Sequence, residues 1–254
     1  MTHTPRIRFV IGGVQKGGTT AMAHCLSLHP EVALPSNKEA HVFDAGDFDE
    51  NWGRDDIDRI YAKHFQTASP DALHGDATPI YCMHERIIAR IARYNPAMKW
   101  IVLLRNPVER AISQYHMERN RGDETWPMPA AMLLERWRLH GHYDDWSAHS
   151  PLRHHSYLYR GDYARQLDAL LAHFDSSQLL LLHSAQFLAQ PKTVLDKVYR
   201  HLGIRMPIRM PESVRLFSGN YPEVSRRSLS YRLIRWLARR SSRQLERKYA
   251  IRFD

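Results

Sequence analysis

Residues 12–20 read Gly-Gly-Val-Gln-Lys-Gly-Gly-Thr-Thr and close a short, β-branched apolar run that begins at Arg8. A glycine-rich turn between a strand and a helix N-terminus presents unsatisfied backbone N–H groups and the positive end of the helix dipole, which together make an anion site. Gly12 and Gly17 have the spacing of the phosphate-binding pattern G-x-x-x-x-G-K-[ST], yet Gly18 stands at the lysine position and the lysine is two places earlier, at Lys16. A plain tight turn is the competing reading. The unbroken run from Lys16 to Thr20 after a strand weighs against it.

A second apolar run, Lys99 to Leu104, is followed by Arg105-Asn106-Pro107-Val108-Glu109-Arg110-Ala111-Ile112-Ser113-Gln114-Tyr115. A magnesium-holding aspartate at such a strand end would mark an NTPase. Here an arginine stands instead, a fork-shaped donor suited to phosphate oxygens, and Ser113 adds a hydroxyl two turns into the following helix. Two anion-binding strand ends suit a nucleotide phosphorylated at two separate places. The competing reading is an Arg105–Glu109 surface pair at a helix start.

These residues have to be held by a scaffold, and 254 residues with 43% hydrophobic and 25% charged side chains are ordinary globular composition. No repeat, low-complexity stretch or linker divides the chain, so one domain over 1–254 is expected. Strands are expected at 8–14, 99–104 and 178–182, with a shorter extended piece at 31–35. Helices are expected from Thr19 or Thr20 (as cap) to Leu28, then over 57–65, 84–94, 107–117, 163–174, 193–202 and 229–249. Short apolar strands alternating with amphipathic helices predict an α/β fold, a P-loop-like parallel sheet with helices on both faces, which binds ligands beyond the carboxyl ends of its strands. The basic helix 229–249 is expected to pack Leu229, Leu233, Trp236 and Leu237 inward, with its arginines in solvent.

The formal charge of +9 predicts anionic partners without choosing among nucleic acid, an acidic polymer and a phosphorylated small molecule. Cys25 and Cys82 make neither a disulfide scaffold nor a zinc motif. No apolar run approaches a membrane span, and Met1–Val14 does not read as a secretory signal, so a reduced, cytoplasmic protein is the simplest expectation. The histidines at 140, 142, 154 and 155 lack metal-site spacing. Nothing resembles a nucleic-acid-binding module.

The loop Gln15–Thr20 resembles the 5′-phosphosulfate loop of sulfotransferases that use 3′-phosphoadenosine 5′-phosphosulfate (PAPS). Arg105 through Ser113 and Tyr115 resembles their 3′-phosphate motif, R-N-P-x-x-R-A-x-S-x-Y. Ser36–Asp44 is similar to the K-E-x-H-F-F-D stretch of the heparan sulfate sulfotransferase branch, and Gly161–Leu182 to that branch's G-x-Y-x-x-x-L-x-x-W-L helix and strand, with Leu170 in place of the tryptophan. In the right order, these motifs span roughly residues 6–220.

The resemblance implies sulfuryl transfer from PAPS, with adenosine 3′,5′-bisphosphate (PAP) as product and no obligatory metal. Lys16 would stabilise the bridging oxygen, and Gly17, Gly18, Thr19 and Thr20 would hold the 5′ end. Arg105 and Ser113 would read the 3′-phosphate, and Glu39 would serve as base. His41 is placed among the catalytic residues by its spacing to Glu39. Asp44 and Thr78 are assigned to the acceptor side. Gly219 and Tyr221 belong to a cofactor-covering loop in which Ser218-Gly219-Asn220 replaces the family's basic residues. A nearby lysine would depress the Glu39 pKa, whereas an anionic donor would raise it. The acceptor is expected to be a small or carrier-borne bacterial metabolite, or a glycan, either anionic itself or presented by an acidic carrier protein. A P-loop kinase using ATP and magnesium, and a non-catalytic anion- or nucleic-acid-binding protein, are the rival readings.

Overall fold

The computed structural model describes residues 5–65, 71–207 and 224–253. The chain groups into two compact units, Met1–Leu104 with Ala169–Phe217, and Arg105–Asp168 with Ser218–Asp254.

The first unit is built on five strands: β1 (Ile7–Gly13), β2 (Val32–Ala33), β3 (Leu73–Asp76), β4 (Lys99–Leu104) and β5 (Leu179–His183). They lie in the order β2-β3-β1-β4-β5, and every pairing is parallel. β1 and β4, as central strands of a parallel sheet, are covered on both faces and read as nearly continuous apolar runs. On one face Phe9, Ile11, Ile101, Leu103 and Leu182 pack with α1 (Thr19–Ser27), α9 (Ser184–Ala189) and α10 (Pro191–Leu202). Each such fully buried aliphatic or aromatic side chain contributes about 1.5–3 kcal/mol. On the other face the Trp100 ring lies 5.6 Å from Phe174. The unit also holds α2 (Arg54–Ala62) and α3 (Glu85–Tyr94). His84 caps α3, its ring nitrogen accepting the Arg86 N–H, and Ile87, Ile88 and Ile91 form the buried stripe.

β3 is absent from the sequence expectations. Leu-His-Gly-Asp shows no apolar alternation, and the segment is a strand because Gly75 lets the Phe9 ring of β1 close over it: a Cβ there would stand 2.2 Å from the ring. α2 begins three residues earlier than expected. The helix after the first loop is not capped by Thr19 or Thr20; its N-cap is Gly18, in left-handed geometry with φ 97°.

The second unit is helical: α4 (Pro107–Arg121), α5 (Met128–Leu133), α6 (Glu135–Arg138), α7 (Pro151–His155), the first residues of α8 (Tyr163–Leu171), and α11 (Leu229–Tyr249). Its core joins Val108, Ala111, Ile112 and Tyr115 of α4 to Met128, Ala131 and Met132 of α5, Tyr157, and Tyr231 and Ile234 of α11. α4 outruns its expected end by four residues, stopping where Gly122 turns left-handed. α11 has the expected bounds and only part of the expected inner face: Leu237 is half-buried against this core. Tyr231, Ile234, Ala238 and Leu245 are buried, whereas Leu229 and Trp236 point into solvent. The stretch after α4 is tethered rather than loose: Glu124 is buried and accepts hydrogen bonds from Arg138 (2.6 Å), Tyr157 (2.7 Å) and the Trp126 N–H (2.9 Å).

Among the described residues no helix is long and apolar enough to cross a membrane, and both cysteines are buried thiols.

Candidate active site

The turn leaving β1 passes so close to β4 that only glycine fits at position 13. Its φ is +116°, and a Cβ would stand 2.7 Å from the Leu103 backbone nitrogen and oxygen. Val14 N–H then donates to Leu103 O (3.2 Å) and Gly17 N–H to Val14 O (2.7 Å), folding the loop back on itself. Lys16 sits within this turn at φ 70°, a left-handed conformation uncommon outside glycine. α1 then begins at Thr19 with no acidic residue in its first turn, so nothing there competes with an incoming anion. Thr19 is buried and Thr20 exposed. The loop is clamped from the start of α9, just past β5: the Ser184 hydroxyl lies within hydrogen-bonding reach of both Gly17 O and, at 3.0 Å, Leu104 O.

The segment after β2 comes to this helix start. Lys38 Nζ donates to Thr19 Oγ1 (3.5 Å) and to Glu39 Oε1 (2.5 Å). Glu39 Oε2 lies 3.3 Å from His41 Nε2, and His41 Nδ1 donates to Asp44 (2.9 Å), whose carboxylate is fully enclosed. Thr19, Lys38, Glu39, His41 and Asp44 thus form one chain of polar contacts. Lys38 (φ 68°) and His41 (φ 54°) are left-handed like Lys16, so three of the four non-glycine residues with positive φ among the described residues belong to this site. Such strain persists only where surrounding structure enforces it, and it collects at functional sites.

The electrostatics follow from the chain. Burial works to raise the Glu39 carboxyl, but the hydrogen bonds from His41 and Lys38 and the Lys38 charge outweigh it, and its pKa falls below the usual value. The depressing influence expected of a neighbouring lysine is therefore realised, with His41 adding to it. Hydrogen bonds to Asp44 and then Glu39 hold a proton on His41 and raise it to about 9, against a burial penalty in the opposite sense. At neutral pH an imidazolium stands between two carboxylates.

The hub beneath this segment is Asp76, at the end of β3 and fully buried. It accepts from Thr78 Oγ1 (2.7 Å), Tyr61 OH (2.7 Å), Tyr81 OH (3.0 Å) and the Ala40 N–H (3.4 Å). Tyr81 OH in turn accepts the Val42 and Phe43 N–H groups, and Thr78 Oγ1 accepts the His41 N–H. Burial raises the Asp76 pKa, with the hydrogen bonds from Thr78, Tyr61 and Tyr81 pulling it back. Thr78 is fully enclosed, and the contacts seen for its hydroxyl run to Asp76 and the His41 backbone. Asp76 and Ser184 escaped sequence reasoning. Asp76 carried a signal in Gly-Asp-Ala-Thr-Pro-Ile-Tyr, two residues before Thr78.

Arg105 and Ser113 belong to the second unit. Asn106 caps α4, its side-chain oxygen accepting the Val108 and Glu109 N–H groups, and Pro107 occupies the first turn, where no N–H is needed. The Tyr163 hydroxyl holds the Arg105 carbonyl at 2.7 Å. The Arg105 guanidinium is one-third exposed and stands 4.0 Å from Glu109, so the surface pair weighed against an anion role does exist; Glu109 also receives Arg226 at 2.9 Å. Ser113 is half-buried. Arg110, the other arginine of the motif, is fully buried and donates to Gln114 (2.8 Å) and to the Tyr157 carbonyl. Gly219 and Tyr221 lie outside the described residues. His154, whose sequence spacing carried no metal signal, lies beside Glu118 (2.9 Å) and Asp123 (3.4 Å).

The profile of the sulfotransferase domain matches residues 6–220. The chain is 31% identical over 214 residues to the bifunctional heparan sulfate N-deacetylase/N-sulfotransferase 4 of Mus musculus, covering 80% of this chain and 22% of that protein. It is 30% identical over 203 residues to the heparan sulfate glucosamine 3-O-sulfotransferase 3B1 of Homo sapiens, covering 77% of this chain and 46% of that protein. The chain therefore spans less than half the length of either relative. Among solved structures, a sulfotransferase from Alicyclobacillus acidocaldarius shares the fold with a TM-score of 0.76 at 24% identity, covering 98% of both chains. A mouse sulfotransferase complexed with PAP shares it with a TM-score of 0.50 at 17% identity over 80% of this chain and 61% of that one. The five-stranded parallel sheet, the glycine-lysine loop at its centre and the match over residues 6–220 lead to one assignment: the chain belongs to the sulfotransferase domain family and is related to its heparan sulfate branch.

Proposed function

We propose that the protein transfers a sulfuryl group from PAPS to a hydroxyl or amine of an acceptor, with Glu39 as the base. The observation that carries this reading is the continuous link from the start of α1 to Glu39 through Lys38, which joins an anion site and a carboxylate in one unit. The P-loop kinase and the non-catalytic binder are not favoured by family membership.

The donor fits the residues present. The first-turn amides of α1, with Gly17, Gly18, Thr19 and Thr20, would bind its 5′ end, the first turn itself carrying no acidic residue. Lys16 would place a cation at the bridging oxygen, where charge develops on the departing phosphate. Arg105 and Ser113 would bind the 3′-phosphate. When bound, PAPS supplies the activated sulfuryl group. Glu39, ionised at neutral pH, would take the proton from the attacking acceptor atom, and His41 would orient that carboxylate while itself held by Asp44. Asp76 and Thr78 would act on the acceptor side by fixing the 40–43 backbone.

The proposed acceptor is a small or carrier-borne metabolite, or a glycan, met in the cytoplasm and either anionic itself or presented by an acidic carrier protein, with no metal required. Calorimetric titration with PAP, and separately with ATP and magnesium, tests the donor class. Tight binding of PAP alone is the expected result; preference for ATP would overturn it.

A further inference from the structure

Between residues 224 and 253 the chain carries ten Arg or Lys and one Glu, a surplus equal to the +9 of the whole chain, so the remaining residues balance at 26 of each sign. Two thirds of that surplus sits on α11, which carries seven Arg or Lys and one Glu. Its inner meridian, Tyr231, Ile234, Ala238 and Leu245, is buried. Opposite, at 100° per residue, Leu229, Arg232, Trp236, Arg239, Arg240, Arg243 and Arg247 fall within an arc of roughly 100° and extend about 27 Å along the helix. All seven are exposed. Lys248, Arg226 and Arg252 are paired with Asp168, Glu109 and Glu246. Arg232, Arg235, Arg240, Arg243 and Arg247 enter no ion pair among the described residues, and Arg239 lies over the Trp236 ring at 4.3 Å.

We propose that this outer face of α11 docks the protein on an anionic lipid surface. The charge is complementary to acidic headgroups, each arginine adding to an attraction that decays within a Debye length. The apolar members choose the partner. Leu229 is 82% and Trp236 54% exposed, on the meridian of the arginines rather than at its edge. A polyanionic chain would be held by the guanidinium groups alone and would leave the leucine in water. At a bilayer the leucine and the indole reach the boundary between headgroups and acyl chains, where tryptophan is favoured, while the arginines remain among the headgroups. The opposite face stays packed in the protein, so the helix lies along the surface without crossing it.

The test is sedimentation of the full chain with phosphatidylcholine–phosphatidylserine vesicles and with vesicles of phosphatidylcholine alone. Binding to the first, little to the second, and weakening by salt are expected. Arg240→Gln with Arg243→Gln should weaken binding roughly five-fold for each arginine removed. Trp236→Ala should weaken it several-fold at unchanged net charge, and should abolish the part of the fluorescence quenching by brominated lipid that this indole contributes. Both variants alter exposed side chains, and unchanged far-UV dichroism would establish that they fold. Failure to bind the anionic vesicles overturns the proposal, as does binding that survives in both variants. Loss with the arginine pair but not with Trp236→Ala, accompanied by equal binding of soluble polyphosphate, would replace the lipid surface with a polyanion.

Discussion

His41 Nε2 stands 3.3 Å from Glu39 Oε2 while its Nδ1 donates to Asp44 at 2.9 Å, so one imidazolium ties the candidate base to a buried carboxylate. The folded pKa of about 9 lies above the ordinary value of 6.5. The protonated ring therefore stabilises the fold fully below about 6.5, and the contribution fades as pH rises through 9. The melting temperature of the wild type should exceed that of His41→Ala by a constant margin at acidic pH, down to the range where the Glu39 carboxylate protonates. That margin should shrink toward zero above pH 9. A margin independent of pH between 6 and 10 would mean that His41 is not held protonated.

Glu39→Gln keeps the shape of the side chain and removes its basicity. PAP affinity should stay near wild type, because the phosphate loop does not include this residue, while turnover falls roughly 10²–10⁴-fold, the range for loss of a general base. Single-turnover sulfate transfer in the wild type and the variant checks this. Equal rates would remove Glu39 from the base role.

Arg105→Ala removes a guanidinium whose backbone is held by Tyr163 and whose charge is shared with Glu109. Affinity for PAP should drop about 10–100-fold, as for a charge-assisted hydrogen bond. Affinity for AMP, which lacks the 3′-phosphate, should change little. Titration with both nucleotides separates the outcomes, and equal losses would show that Arg105 does not read the 3′ end.

Ser184 reaches two carbonyls, Gly17 O on the phosphate loop and Leu104 O at the end of β4. Ser184→Ala removes the single hydroxyl proton that these two buried acceptors share and should cost about 1–2 kcal/mol of stability. It should also weaken PAP binding several-fold by loosening the Gly17–Gly18 peptide, and Ser184→Thr, which keeps the hydroxyl, should restore both. Denaturant unfolding and PAP titration on the two variants decide it. Stability lost without any change in PAP affinity would make Ser184 purely structural.

Much of this molecule is determined by local sequence. β4 and α11 carry their own boundaries, since a β-branched run buried on both faces and a long basic amphipathic pattern each specify one element. The loop from Lys16 to Thr20 carries the pattern of an anion site in its own residues, glycines and a lysine ahead of a helix start. The spacing of Glu39, His41 and Asp44 places three ionisable groups close enough along the chain to meet in one loop.

Tertiary structure decided the rest, wherever a residue's role depends on a distant partner. Leu73–Asp76 is a strand only because Phe9 covers Gly75. Asp76 is a hub only because Ala40, Tyr61 and Tyr81 are brought to it from 36, 15 and 5 residues away. Ser184 meets Gly17 across 167 residues. On α11 the sequence supports two apolar meridians, one through Leu229, Leu233, Trp236 and Leu237, the other through Tyr231, Ile234, Ala238 and Leu245. Periodicity records that a helix has apolar positions but not which of them a neighbour will cover. Packing on Val108, Ile112, Tyr115, Ala131 and Met132 of α4 and α5 buried Tyr231 and Ile234 of the second set and left Trp236 outside.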